Sequence, residues 1–195
     1  MAHPWGMNCR VTTRGRSRGC LLRKAGGQRV AGVPSKYWGN GISPRGDKGR
    51  FVLPTDFRGA VLAASDNVPI LCLDFHHKYP CLVGFGLSRA DGFADQILHE
   101  ERVALERGEP FDRDERASQL GGFVRTKFDE SGRFILPDYL GDEIKAGDAL
   151  YFHGGDSQFT IWAPDVLFTM GDGWRSAKAT CRSLINSGAA KGRRK

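Results

Sequence analysis

No apolar run in this sequence approaches the ~18 residues that a membrane-crossing helix needs, and no stretch near the N-terminus has the apolar segment of a secretory signal. The cysteines Cys9, Cys20, Cys72, Cys81 and Cys181 are odd in number, scattered and without a CxxC pair, which fits reduced thiols better than a disulfide framework. A phosphate-binding glycine loop is missing too, because "GGDS" at 154–157 lacks the strand-to-helix setting such a loop requires. Nor does any nucleophile have its base at hand. Ser65 beside Asp66, and His153 before "GGD", stand alone, so the chain reads as no enzyme, with no cofactor and no small-molecule substrate. No aromatic-rich strand of the RNA-reading type is visible either.

What is present suits a soluble globular chain: 195 residues, 40% hydrophobic and 26% charged. The net charge of +7 dissolves once it is divided along the chain. Residues 1–36 carry eight of the 29 Lys/Arg and residues 175–195 another seven, with no acid in either tail, so the 14 left in the middle face all 22 acids. The middle is therefore net negative, and binding to nucleic acid has to be argued from local placement. Residues 1–36, rich in arginine and glycine and without apolar period, read as a disordered basic extension or a start-site artefact, with a transit peptide the weaker reading. The basic end of the chain reads as a solvated tail.

The organising feature is a repeat. "GDKGRFVLP" from Gly46 returns as "DESGRFILP" from Asp129, 83 positions later, with the arginine in the same place. Each copy predicts a β-hairpin. In "GFVRTKF" the residues alternate with period two, "DESG" supplies an Asp that bonds its own turn and a Gly for positive φ, and "RFILP" resumes the strand until Pro137 closes it. In the first copy "RGDKG" makes the turn and Pro54 the stop. β-rich stretches follow: "AVLAAS", "VPILCLDF" and "YPCLVGF" after the first, "DALYFHGG" and "SQFTIWAP" after the second. Between the copies, Phe93, Ile97, Leu98, Ala104 and Leu105 recur at helical spacing before Gly108. A second helix is framed by Asp112 with Glu115 and by Gly121-Gly122.

The paired motif, its separation, the helical pair between the copies and the late "FTIW" resemble the MraZ family of bacterial transcription regulators, built from two tandem SpoVT/AbrB-like swapped-hairpin modules. The likeness covers about Tyr37 to Trp174. It implies an α+β, mainly β fold: a double-module, swapped-hairpin β-barrel with a helical spacer and a helical C-terminal segment. Expected boundaries are an extension at 1–36, module 1 at 40–87, the spacer at 88–121, module 2 at 122–166 and a C-terminal segment with a basic tail at 167–195. It further implies a ring homo-oligomer on G-rich direct repeats in double-stranded DNA, acting as a cytoplasmic, nucleoid-associated repressor of its own division and cell-wall gene cluster.

The family mark is an Asp, three residues, then Arg. Asp129 and Arg133 satisfy it; in module 1 Arg50 is present, but Gly46 holds the place of the acid and Asp47 comes one step late. Arginine suits DNA because its planar fork donates two bonds to guanine O6 and N7, worth about 1–3 kcal/mol of discrimination, and a two-stranded ribbon fits the major groove. The expected readers are thus Arg50 and Arg133, with Arg45, Lys48, Arg125 and Lys127 on phosphates and Asp47, Gly49, Asp129 and Gly132 supporting the turns. The plainer alternative for the two arginines is pairing with turn carboxylates on a solvated face. Phe51, Leu53, Phe134 and Leu136 read as core. Cys72, His76, His77 and Cys81 in "CLDFHHKYPC" have spacings a zinc ion could use, but without a CxxC or a second ligand cluster they read as small buried thiols and turn histidines, and no metal is expected. The competing functional class is an AbrB-like interaction module or antitoxin, favoured by the negative middle and by any exposed apolar patch around the spacer and Trp162.

Overall fold

The computed structural model describes residues 36–192, with side chains to 188; the expectation for the N-terminal extension lies, Lys36 apart, outside the described residues, as does that for the basic end of the tail. Each repeat unit runs strand, tight turn, strand, helix, strand, strand. The first comprises β1 (Asn40–Pro44), β2 (Arg50–Val52), α1 (Thr55–Ala63), β3 (Ile70–Phe75) and β4 (Leu82–Phe85). Two helices follow, α2 (Phe93–Arg107) and α3 (Arg113–Gly121). The second unit comprises β5 (Val124–Lys127), β6 (Arg133–Ile135), α4 (Asp138–Glu143), β7 (Ala149–Gly155) and β8 (Gln158–Trp162); α5 (Pro164–Thr169) and α6 (Arg175–Gly192) close the chain.

The local signals explain most of these ends. Pro54 and Pro137 end their strands, having no N–H for a ladder, and stand at the N-caps of α1 and α4. Gly108 takes a left-handed φ of 66° to stop α2, and the Asp112 carboxylate accepts from the Asp114 and Glu115 amides at the start of α3. One expectation is overturned: "AVLAAS" is no strand, since Ala60–Ala63 belong to α1. Phe57 and Val61, four apart, are the residues this helix buries. The alanines favour a helix, and a window starting at Ala60 hides the Phe57–Val61 period.

Six strands form one antiparallel sheet in the order β1-β7-β8-β4-β3-β5, and β2 pairs with β6 in a separate two-stranded ribbon. Exchanging the two repeat units turns that order into its own reverse, so the sheet has an internal pseudo-twofold at the β4–β8 pair, where Val83 faces Thr160. Strand pairing crosses between units. β1 runs against β7, with Ile42 opposite Tyr151, and β5 against β3, with Cys72 opposite Arg125. The expectation that "GFVRTKF" and "RFILP" lie side by side as a plain hairpin is therefore corrected, and so is its counterpart in the first unit. The turns close, but their arms part into different sheets. What remains between the arms is a Phe128–Phe134 bridge in the second unit and, in the first, a Val52 amide donated to Ser43 Oγ at 2.7 Å. The arms part because Phe51 and Phe134, opposite each other in the ribbon, both point into the core.

That core gathers Tyr37, Phe51, Phe57, Phe134, Phe152 and Phe159 with aliphatics from both units, Leu53 and Leu136 included. Gly84 is required beneath Phe159: a Cβ there would lie 2.4 Å from the ring. A second cluster joins Cys81, Tyr151 and Trp162 to Leu167, Ala177 and Cys181 of α5 and α6. Trp162 is fully buried in it and so adds to no exposed apolar patch, the condition that would favour the interaction-module alternative; on the spacer helix α2, by contrast, Leu98 and Leu105 are exposed. Cys72 lies in the first cluster and Cys81 in the second, and His76 Nδ1 accepts from the Lys78 and Tyr79 amides of its turn. Burial pushes the Cys72 thiol up to about 11, against the pull of Arg125. Among the described residues no three His, Cys, Asp or Glu side chains converge as metal ligands.

Candidate nucleic-acid interface

The ribbon positions the signature arginines. In its three-residue register Arg50 faces Ile135, Phe51 faces Phe134 and Val52 faces Arg133. Side chains alternate across a strand. With Phe51 and Phe134 buried, the outward face carries Arg50, Val52, Arg133 and Ile135, all exposed. The two arginines occupy diagonal corners of that face, a separation of about 7–8 Å between backbones in such ladders. Residues 83 apart in sequence thus share one outward surface.

Behind each arginine is a five-residue turn closed by the same backbone bond: Asp129 N–H donates to Arg133 O at 3.0 Å, Gly46 N–H to Arg50 O at 2.8 Å. The glycine before each arginine is left-handed, with φ 81° at Gly132 and 69° at Gly49. The side chains then diverge. Asp129 Oδ1 accepts from the amides of Ser131 (3.0 Å) and Arg133 (2.9 Å), and Oδ2 accepts from Arg133 Nε at 2.8 Å. These bonds, led by the Arg133 amide and then its guanidinium, hold the Asp129 carboxyl below the usual aspartate range. The turn at Gly46 has no such carboxylate. Asp47–Gly49 winds instead into a short 3-10 turn with Lys48 at φ 60°, a conformation that side chains other than Gly, Asn and Asp seldom adopt.

The bases of the turns differ as well. Leu53 N–H donates to Gly132 O at 2.8 Å, and Arg58 of α1 reaches across 72 positions to donate through Nη1 to Glu130 O at 2.8 Å. A Cβ on Gly132 would meet Leu53 O and Arg58 Nε, each at 2.9 Å. The first turn has neither brace among the described residues: no bond joins Leu136 to Gly49, and α4 has Gly141 where α1 has Arg58. Sequence reasoning gave Arg58 no role, since only the fold brings α1 of one unit to the turn of the other.

The other expected contacts distribute unevenly. Arg45 lies over the Phe51 ring at 5.8 Å and Lys48 stands exposed at the turn tip, so both flank Arg50. Lys127 and Arg125 are exposed but on β5, an edge of the large sheet; Arg125 packs over Phe123 at 5.6 Å, toward the spacer helices. Those helices take much of the negative charge, since residues 88–121 hold nine of the 22 acids. Arg133 has an ion partner, as the plainer reading of hairpin arginines expects, whereas Arg50 makes no salt bridge among the described residues. Pairing is through Nε, and the terminal nitrogens of Arg133 make no hydrogen bond among the described residues.

Fold and surface together define a class: an α+β protein of two interlocked repeat units that present one arginine each on a shared two-stranded ribbon. No protein-family model matches the chain. The transcriptional regulator MraZ of Caulobacter vibrioides (strain NA1000 / CB15N) is 30% identical over 143 residues, 73% of this chain and 82% of that protein. Its namesakes in Gluconacetobacter diazotrophicus and Phenylobacterium zucineum are 29% identical over 158 residues (75% and 87%) and 30% over 143 (73% and 80%). The chain belongs to the MraZ family.

Proposed function

We propose that the protein is a DNA-binding transcriptional regulator whose β2–β6 ribbon enters the major groove of double-stranded DNA. One observation carries the reading: Arg50 and Arg133 stand exposed on the same face of a two-stranded ribbon, the shape and the side chain best suited to guanine edges. The relatives' name, transcriptional regulator, agrees with it. The acidic spacer helps to orient the molecule by turning away from phosphate. On this reading the interlocked units form a small swapped-hairpin barrel, and copies assemble into a ring on G-rich direct repeats. The protein then represses its own gene cluster in the cytoplasm by occupying the promoter. One ribbon offers few contacts, so linkage in a ring supplies affinity through effective concentration.

Mobility shifts on duplexes of G-rich direct repeats at fixed salt test this directly. The wild-type protein should prefer them to scrambled duplexes, and Arg133→Ala should lose that preference with its oligomeric mass unchanged. A folded Arg133→Ala protein with undiminished preference would discard the assignment.

A further inference from the structure

Two turns with one backbone frame hold their arginines in different ways, and the difference bears on what each can recognise. Bidentate reading of guanine needs the guanidinium plane fixed with two donors forward. In the second unit one Asp129 oxygen builds the turn and the other takes Arg133 by Nε, which leaves the two terminal nitrogens of this half-exposed side chain without a bond among the described residues, on a turn braced by Leu53 and Arg58. In the first unit the carboxylate is missing at Gly46, both braces are missing, and Lys48 and Arg45 flank an arginine whose side chain makes no hydrogen bond or salt bridge, all among the described residues. A loosely held cluster of three cations suits phosphate, which accepts from many directions and carries no sequence information.

We infer that Asp129 is the positioning residue for base reading, so that the second turn of each subunit is its sequence reader and the first is a phosphate clamp. The inference rests on the DNA-binding reading above. The departure at Gly46 is its cause: Gly46 has φ −89° and ψ −175°, open to any residue, and a Cβ there would meet only Arg50 O at 3.4 Å, so an aspartate would fit. Exposed ion pairs contribute little to stability, and Arg133–Asp129 is about half exposed, so the pair's role is orientation rather than folding.

The test uses the full chain and duplexes that the wild-type protein selects from a random pool. Anisotropy titrations at several salt concentrations compare a selected duplex with the unselected pool. Asp129→Asn keeps an oxygen for the Ser131 and Arg133 amides but places an amide or a neutral oxygen against Nε. It should melt like wild type and keep the salt slope, yet lose about tenfold or more in the selected-to-pool ratio. Arg50→Ala should weaken both duplexes alike and lower the salt slope by about one, as for a lost phosphate contact. Gly46→Asp should raise the ratio. Equal loss of the ratio in Arg50→Ala and Arg133→Ala, or an unchanged ratio in Asp129→Asn, would overturn the inference while leaving DNA binding intact. A wild-type protein that retains no duplex would overturn the DNA-binding reading itself, and this inference with it.

Discussion

After β4 and again after β8 the chain leaves the sheet as a pair of helices, and the two pairs are held by different physics. Of the spacer pair, α3 buries no residue and α2 buries only Ile97 and Ala104. Its attachments are an edge-on trio of Phe85, Phe93 and Phe123, with centroids 5.4–6.1 Å apart, and ion pairs that tie α3 to α2: Arg116 to Glu100 at 2.6 Å and Arg113 to Glu101 at 3.3 Å. The C-terminal pair seats Leu167, Ala177 and Cys181 on Tyr151 and Trp162, with Trp174 across Trp162 at 4.6 Å. A fully buried large apolar side chain contributes about 1.5–3 kcal/mol, a surface ion pair, whether exposed as Arg113–Glu101 or partly buried as Arg116–Glu100, about 0–1. The C-terminal helices are thus part of the core, whereas the spacer is a polar appendage, which is also where an acidic surface is tolerated.

The sharpest way to break this contrast is Trp162→Ala. It empties the second cluster and leaves Thr160 Oγ1 without the indole N–H it receives at 2.9 Å. The expected loss is about 3–5 kcal/mol, read as a fall in the urea midpoint. A loss below about 1 kcal/mol would show that α5 and α6 only rest on the sheet. In the spacer Phe93→Ala is the matching change. Phe93 is half-buried and keeps two aromatic neighbours, so about 1–2 kcal/mol is expected by the same measurement, with the rest of the fold retained.

Much of this was legible in the residues and some was not, for identifiable reasons. Alternation in "RFVLP" and "RFILP" places Phe and Leu inward and Arg outward, which period two alone requires, and the structure agrees at Phe51, Leu53, Phe134 and Leu136. The strands around Leu71, Phe152 and Ile161 and both spacer helices were readable from period and caps. The missing acid at Gly46 was visible as a departure. Pairing was not readable: a strand's face is written in its own residues, but its partner is set by contacts far off in sequence, so nothing local tells β1 to choose β7 over β2. Arg58 and Trp162 were missed for the same reason, their partners lying in the other unit or in the last helix.

The smallest effect separates the two helix pairs most cleanly, because it depends on pH. Arg116 donates to both Glu100 oxygens, Nε at 2.6 Å and Nη2 at 2.9 Å, and Gln96 adds a third bond. Those bonds, the Arg116 pair first, hold the Glu100 carboxyl below the usual glutamate range. A depressed folded-state value means stabilisation that is complete above the ordinary glutamate pKa and is lost as pH falls through the lowered one. Glu100→Gln should therefore cost about 1 kcal/mol at neutral pH, less in high salt, and nothing in acid below the folded-state value, where the wild-type carboxyl is itself neutral. Trp162→Ala, whose loss is apolar burial and one neutral hydrogen bond, should cost the same wherever the fold survives. Urea midpoints of both variants across the acid range decide it: a Glu100→Gln deficit that persists in acid would mean that the spacer is held by packing after all, and the contrast between the two helix pairs would fail.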